Sequence, residues 1–161
     1  MDLAVENNRV EIKIEKLKGC EDLPLPISTT EFSSGVDLLS AEPSNIVLKP
    51  GKIKLISTGI KIMIPKSYEG QIRPRSGLAL KHGITVLNTP GTIDSDYRGI
   101  VKVILINLSK KEFVIQRGDR IAQLVIQKVF FPDFKLVPTL NKTKRGEGGF
   151  GHSGIKISKI K

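Results

Sequence analysis

The sequence predicts an all-β chain, and three observations predict it. First, the 161 residues carry 21 Ile and 11 Val against only 4 Ala, so β-branched side chains suited to strands far outnumber the strongest helix former. Second, about ten short apolar or alternating runs follow one another at the spacing of a sandwich or barrel. Third, 15 Gly and 9 Pro supply the turns between them. A single domain of this length buries about 70% of its unfolded surface, so no disulfide staple is required. None is possible within one chain, because Cys20 is the only cysteine.

Val10, Ile12 and Ile14 alternate with Glu11, Lys13 and Glu15, which gives an amino-terminal strand within 9–17 with one wet face. A linker from Gly19 to Thr30 follows, with Pro24 and Pro26. Ile46 to Leu48, Ile53 to Ser57, and the alternation Ile60, Ile62, Ile64 read as successive strands, divided by Pro50-Gly51 and Gly59 and closed by Pro65-Lys66. Gln71 to Arg73 is a further candidate. Only Ser76 to Lys81 has helical spacing, and Gly83 ends it. Ile100 to Leu108 is apolar on both parities apart from Lys102 and Asn107, so burying one face leaves the other greasy and suited to a partner subunit. Glu112 to Gln116 and Ile121 to Phe131 complete the set. The β domain is expected over 1–140. From Asn141 the chain changes character, with five glycines between Arg145 and Gly154, and 141–161 is expected to be a flexible arm with a short basic tail.

Lys and Arg number 26 against 16 Asp and Glu, a formal charge of +10 that attracts polyanions, whether nucleic acid, anionic lipid or a nucleoside triphosphate. The Ile and Lys excess is equally the mark of an AT-rich genome, so charge alone selects no partner. The amino terminus lacks the basic start and apolar stretch of a secretory signal, and no window approaches the ~18 apolar residues of a membrane span. A cytoplasmic protein is expected. His82, His152 and Cys20 are too scattered for zinc, and Ser76 has no motif supplying a base. Gly146-Glu-Gly-Gly-Phe-Gly151 matches Gly-x-Gly-x-x-Gly but neither follows a strand nor opens a helix, which excludes a dinucleotide fold.

Other segments carry chemistry. Arg73-Pro-Arg-Ser-Gly77 puts guanidinium, hydroxyl and glycine amide in sequence, a donor set for phosphate oxygens or simply a solvated turn. Asn88 to Gly99 reads as a hairpin centred near Ser95, with Asn88 opposite Lys102 and an open end for a planar base; Asp94 or Asp96 could take a proton from water. In Arg117-Gly-Asp-Arg-Ile-Ala-Gln123, Asp119 and Arg120 suit an ion pair and Gln123 a ligand contact. In the arm, Phe150 could stack on a base while Arg145 reaches a terminal phosphate, as a lid would.

Taken in order, Ser34-Gly-Val-Asp-Leu-Leu-Ser-Ala41, Pro74-Arg-Ser-Gly-Leu-Ala79, Gly91-Thr-Ile-Asp-Ser-Asp-Tyr-Arg-Gly99, Gly118-Asp-Arg-Ile-Ala-Gln123 and Arg145-Gly-Glu-Gly-Gly-Phe-Gly-His-Ser-Gly154 resemble the five motifs of the trimeric dUTPases. The resemblance implies a jelly-roll subunit, a distorted β-barrel, in a homotrimer that hydrolyses dUTP to dUMP and pyrophosphate with Mg²⁺. Such an enzyme supplies dUMP for thymidylate and keeps uracil out of DNA. It implies sites between subunits, with the second and fourth motifs from one chain, the third from another, and the arm from the remaining one.

By position, the resemblance makes Asp94 the general base and Asp37 the carboxylate that holds water on Mg²⁺. Arg75, Ser76 and Gly77 would bind the phosphate chain, with Gln123 near the α phosphate. Asn88, the Thr92, Ile93 and Asp94 backbone and the Lys102 backbone would read the uracil edge, and Tyr97 would pack under deoxyribose. Phe150 would stack on uracil, and Arg145, Gly151, His152 and Ser153 would close on the nucleotide, Arg145 and Ser153 at the γ phosphate. Ser34 departs from the family's usual Ala and His152 from its usual Ser or Thr. No stable nucleic-acid or membrane partner is expected. The alternatives are a related dCTP deaminase and a basic nucleic-acid-binding β domain; the latter leaves Asp37 and Asp94 unexplained.

Overall fold

A computed structural model of the chain describes residues 9–28 and 30–150. Ten strands and one helix occupy them: β1 (Lys13–Lys16), β2 (Gly35–Leu39), β3 (Ile46–Leu48), β4 (Ile53–Met63), β5 (Tyr68–Arg73), α1 (Ser76–His82), β6 (Ile84–Val86), β7 (Gly91–Ile93), β8 (Ile100–Asn107), β9 (Phe113–Ile115) and β10 (Arg120–Lys128). The all-β expectation holds. The chain divides into two compact units, Met1–Phe130 and Phe131–Lys161, and every strand among the described residues lies in the first.

All the pairings are antiparallel. One sheet has the order β1-β4-β8-β6, a second β2-β10-β5-β7, and β3 and β9 form a separate ribbon. Among the described residues no strand closes the sheets into a barrel. Their inner faces share one core: Ile56, Ile62, Val103 and Leu105 from the first sheet meet Leu38, Ile72, Ala122 and Leu124 from the second, with Leu48 and Ile115 from the ribbon. Burial of such aliphatic faces is the main favourable term in a fold of this kind.

The stretch read as two strands around Gly59 is one strand, β4. The ladder with β8 shifts register between Ser57 and Lys61, and Gly59, at φ +69°, absorbs the bulge that keeps both halves paired. The helix forms where its spacing predicted, and Gly83 ends it in the left-handed conformation with its N–H on Ala79 O at 3.1 Å. In β8, Val101, Val103, Leu105 and Asn107 are buried, whereas Ile100, Ile104 and Ile106 on the other parity are only half-buried. Asn107 is a polar hub: Nδ2 donates to Leu48 O and Lys111 O, both at 2.8 Å, and Oδ1 accepts from Ser109.

Asp119 and Arg120 do not pair. Asp119 accepts the Gln116 amide and closes its own turn, which leaves Arg120 free to point elsewhere. The neighbouring Arg117 pins the Gly19–Asp22 loop instead, through Gly19 O, Ala41 O and both Asp22 oxygens. Hydrogen bonding to Arg117 holds the Asp22 carboxyl below its usual range. A depressed carboxyl contributes stability above its unfolded pKa and loses it as pH falls. Asp22→Asn should therefore lower the thermal midpoint at pH 7, and the gap from the parent should begin to narrow as pH falls through about 3.8 and close only below the depressed folded-state value; melting curves across pH test this.

Candidate active site

Three adjacent strands and one turn surround a cationic cradle. Asp37 on β2 and Gln123 on β10 are register partners, and Gln123 in turn faces Arg73 at the end of β5. Pro74 then breaks the strand, and the chain turns into α1 through Arg75. The result is a cavity of about 400 Å³ lined by Ser34, Gly35, Asp37, Arg73, Arg75, Ser76, Gly77, Arg120 and Gln123 among others. Three guanidinium groups and one carboxylate line it; Arg73 Nε donates to Gln71 Oε1 at 3.1 Å, and the other two meet Asp37. Arg75 Nε donates to Asp37 Oδ1 at 2.8 Å, and Arg120 Nη1 to Oδ2 at 3.3 Å. Ala79 is the first α1 amide seen bonding back, to Arg75 O, so the Ser76 and Gly77 amides have no acceptor within the helix. The space above Gly77 is open.

Two members of this cradle escape sequence reasoning. Arg120 reaches Asp37 across 83 residues of chain, a contact no local pattern announces. Gly35 lies so close to Gln123 that any Cβ would run into Gln123 Oε1; its lack of a side chain lets Gln123 donate to Pro74 O at 2.9 Å.

The expected hairpin over Asn88 to Gly99 takes another form. β7 pairs with β5 in the second sheet, while β8 stays in the first, where Lys102 faces Ser57 rather than Asn88. Pro90, which has no N–H to continue the β6 ladder, sits where the chain crosses over; the Thr89-Pro90 peptide is cis. The last rung between this chain and β8 is the Leu87 N–H on Ile104 O at 2.9 Å. Beyond it, the edge of β8 at Lys102 has no strand partner among the described residues. The two sheets diverge around a cavity of about 360 Å³ lined by Asn88, Gly91 to Asp94, Tyr97, Ile100 to Lys102, and apolar Leu55, Ile72 and Ile104. An unpaired strand edge beside apolar side chains offers both what a planar base needs: main-chain donors and acceptors in its plane and grease on its face.

Asp94 stands at the end of β7, exposed, on the wall of this slot. Its carbonyl accepts the Tyr97 N–H at 3.1 Å, closing the turn. Asp96 lines a different cavity, with Glu11, Lys13 and Arg98. The slot and the cationic cradle share no lining residue.

Arg145 and Phe150 belong to the second unit. There Arg145 Nε bonds Gly148 O at 2.8 Å in a tight turn, and Phe150 is fully exposed. Gly151, His152 and Ser153 lie outside the described residues.

A family model described as dUTPase matches residues 21–154. The chain belongs to the dUTPase family. Deoxyuridine 5'-triphosphate nucleotidohydrolase of Thermoanaerobacter sp. (strain X514) is 55% identical over 144 residues, covering 89% of this chain and 97% of that one. The enzyme of the same name from Rickettsia typhi is 55% identical over 146 residues, 91% and 98% of the two chains. Among solved dUTPase structures, the Staphylococcus bacteriophage 80alpha enzyme with dUpNHpp has a TM-score of 0.77 at 27% identity, covering 90% of this chain and 99% of that one. A mutant dUTPase from phage phi11 of S. aureus, described as coordinating a structural Mg(II) ion, has a TM-score of 0.73 at 25% identity, with 82% and 99% covered.

Whether this chain suits Mg²⁺ can be judged from its own donors. Among the described residues no three His, Cys, Asp or Glu side chains gather into a cage. Mg²⁺ usually keeps several waters and takes the rest of its ligands from one or two carboxylates and substrate phosphates. Asp37 meets that requirement: each of its oxygens is engaged by one guanidinium and retains a second acceptor site for a metal-bound water. No helix among the described residues is long and apolar enough to cross a membrane.

Proposed function

We propose that this chain hydrolyses dUTP to dUMP and pyrophosphate, as a homotrimer whose sites lie between subunits. One observation carries the reading: a base-sized slot bearing an aspartate and a triphosphate-sized cationic cradle occur in one chain as separate cavities with no residue in common. Two half-sites complete each other when a second copy brings its slot against the first copy's cradle. The half-buried apolar parity of β8, with exposed Leu55 and Ile53 opposite Ile104 and Ile106, gives such a copy an apolar surface to cover.

In the slot, the Asn88 amide and the backbone of Thr92, Ile93 and Lys102 read the uracil edge, and the close walls leave no room for a 5-methyl group. Tyr97 packs under deoxyribose. In the cradle, Arg75, Arg120, Ser76, the Gly77 amide and Gln123 hold the phosphate chain and spread its charge. Asp94 accepts a proton from a water aimed at the α phosphorus; the new P–O bond forms as the bond to the bridging oxygen breaks, and pyrophosphate departs with that electron pair. Mg²⁺, when bound, supplies charge neutralisation and alignment of the phosphates. Asp37 would hold waters bound to it. The arm residues Arg145, Phe150, Gly151, His152 and Ser153 close over the nucleotide and exclude bulk water. Positioning and electrostatics suffice for phosphoryl chemistry, so no covalent nucleophile is needed.

The test is pyrophosphate release from dUTP, dTTP, UTP and dCTP by the full chain with Mg²⁺. dUTP is expected to exceed each competitor by at least about a hundredfold, the discrimination available to a site that hydrogen-bonds one substrate and clashes with the others. Equal rates on all four, or none on dUTP, would overturn the reading.

A further inference from the structure

We propose that Gly99 is a specificity-determining position: by lacking a side chain it lets the Tyr97 ring fold back over the main chain, into the orientation that accepts deoxyribose and excludes ribose. The inference rests on the reading above that sets Tyr97 under the sugar, and extends it to a residue that does not line the slot.

The ring and the glycine occupy one another's space. A Cβ built on Gly99 would collide with the Tyr97 hydroxyl and Cζ and would stand 3.0 Å from Cε2. The ring is held in that place at both ends. Its hydroxyl donates to Ile100 O at 3.1 Å. Its main chain is fixed by the Tyr97 N–H on Asp94 O, and by Arg98 Nη1, which donates to both Ser95 O and Tyr97 O at 2.7 Å. With the backbone tied on either side, a methyl group at position 99 can only displace the ring.

Two further facts make Gly99 a clean probe. Its backbone lies outside the left-handed region, so alanine is conformationally permitted there. Tyr97 is 45% exposed, so a displaced ring swings toward solvent and leaves the core intact. Sugar discrimination is the property at stake because it depends on repulsion: a ribose 2′-hydroxyl is rejected only while something rigid fills the space it would enter. A ring that has moved still allows dUTP to bind but no longer bars UTP.

The experiment measures kcat/KM for dUTP and for UTP in the parent, Gly99→Ala, Tyr97→Ala and the double variant. Gly99→Ala is expected to lower the dUTP-over-UTP preference by about tenfold, the scale of one lost steric contact. Tyr97→Ala should lower it at least as far, and adding Gly99→Ala to Tyr97→Ala should lower it no further. A role confined to folding would slow both nucleotides together and leave the ratio unmoved. The proposal is overturned if Tyr97→Ala collapses the preference while Gly99→Ala leaves it intact, or if Gly99→Ala still acts when the ring is gone. A preference unchanged by Tyr97→Ala would instead remove Tyr97 from beneath the sugar, and the role of Gly99 with it.

Discussion

Asp94→Asn should bind dUTP as the parent does and turn it over about two to four decades more slowly, the range a positioned general base supplies. The substitution keeps the side chain's shape and its place at the end of β7, but removes the group that takes the proton. The Asp94 carbonyl that closes the turn onto Tyr97 is main chain and is unaffected. Equilibrium binding of a nonhydrolysable dUTP analogue should therefore give matching affinities, while pyrophosphate release falls. Unaltered turnover would transfer the proton to another group, with Asp96 the nearest carboxylate in sequence; loss of binding and rate together would make Asp94 a ligand rather than a base.

The second large effect comes from mixing two disabled chains. Arg75→Ala removes the cradle's main guanidinium and Asp94→Asn removes the base, so trimers of either variant alone should be nearly inactive. If each site joins the cradle of one chain to the slot of the next around a threefold ring, any trimer containing both variants has one interface where an intact Arg75 meets an intact Asp94. Random assembly from equal amounts then restores about a quarter of parental activity. Assay of the unfractionated co-expressed mixture measures this, and sequential purification through two different tags keeps only mixed trimers, in which one site of three is intact, so about a third of parental activity is expected there. A complete site within each chain predicts no restoration at all, because every chain would carry one defect.

What could be read along the chain was what neighbouring residues decide. Alternation of apolar and polar side chains located most of the strands, though not β2 or β6, and Gly83 located the end of α1, since both follow from local backbone preference. What escaped was set by partners distant in sequence. β7 follows the bend at Pro90 and looks like one arm of a hairpin, yet its hydrogen bonds go to β5; a strand's partner is not encoded in its own period. Arg120 sits beside Asp119 in sequence and beside Asp37 in space. Asn107 reads as an exception in an apolar run, whereas the buried carbonyl of Leu48, 59 residues away, explains it. The motif resemblance gathered the residues of the cradle and those of the slot, but the separation of the two within one subunit emerged only when the strands were paired.

The bare margin of β8 beyond Leu87 has an implication for how such proteins diverge. On the function proposed above, a pyrimidine lodged there would occupy the berth another strand would have taken and be recognised by the same peptide groups that knit a sheet together. Peptide groups are common to every amino acid, so the side chains at Lys102 and Thr92 are free to drift over evolutionary time without altering which nucleobase is chosen. Substitution at those positions is then, on that reading, a poor guide to changed substrate preference, even though both line the slot.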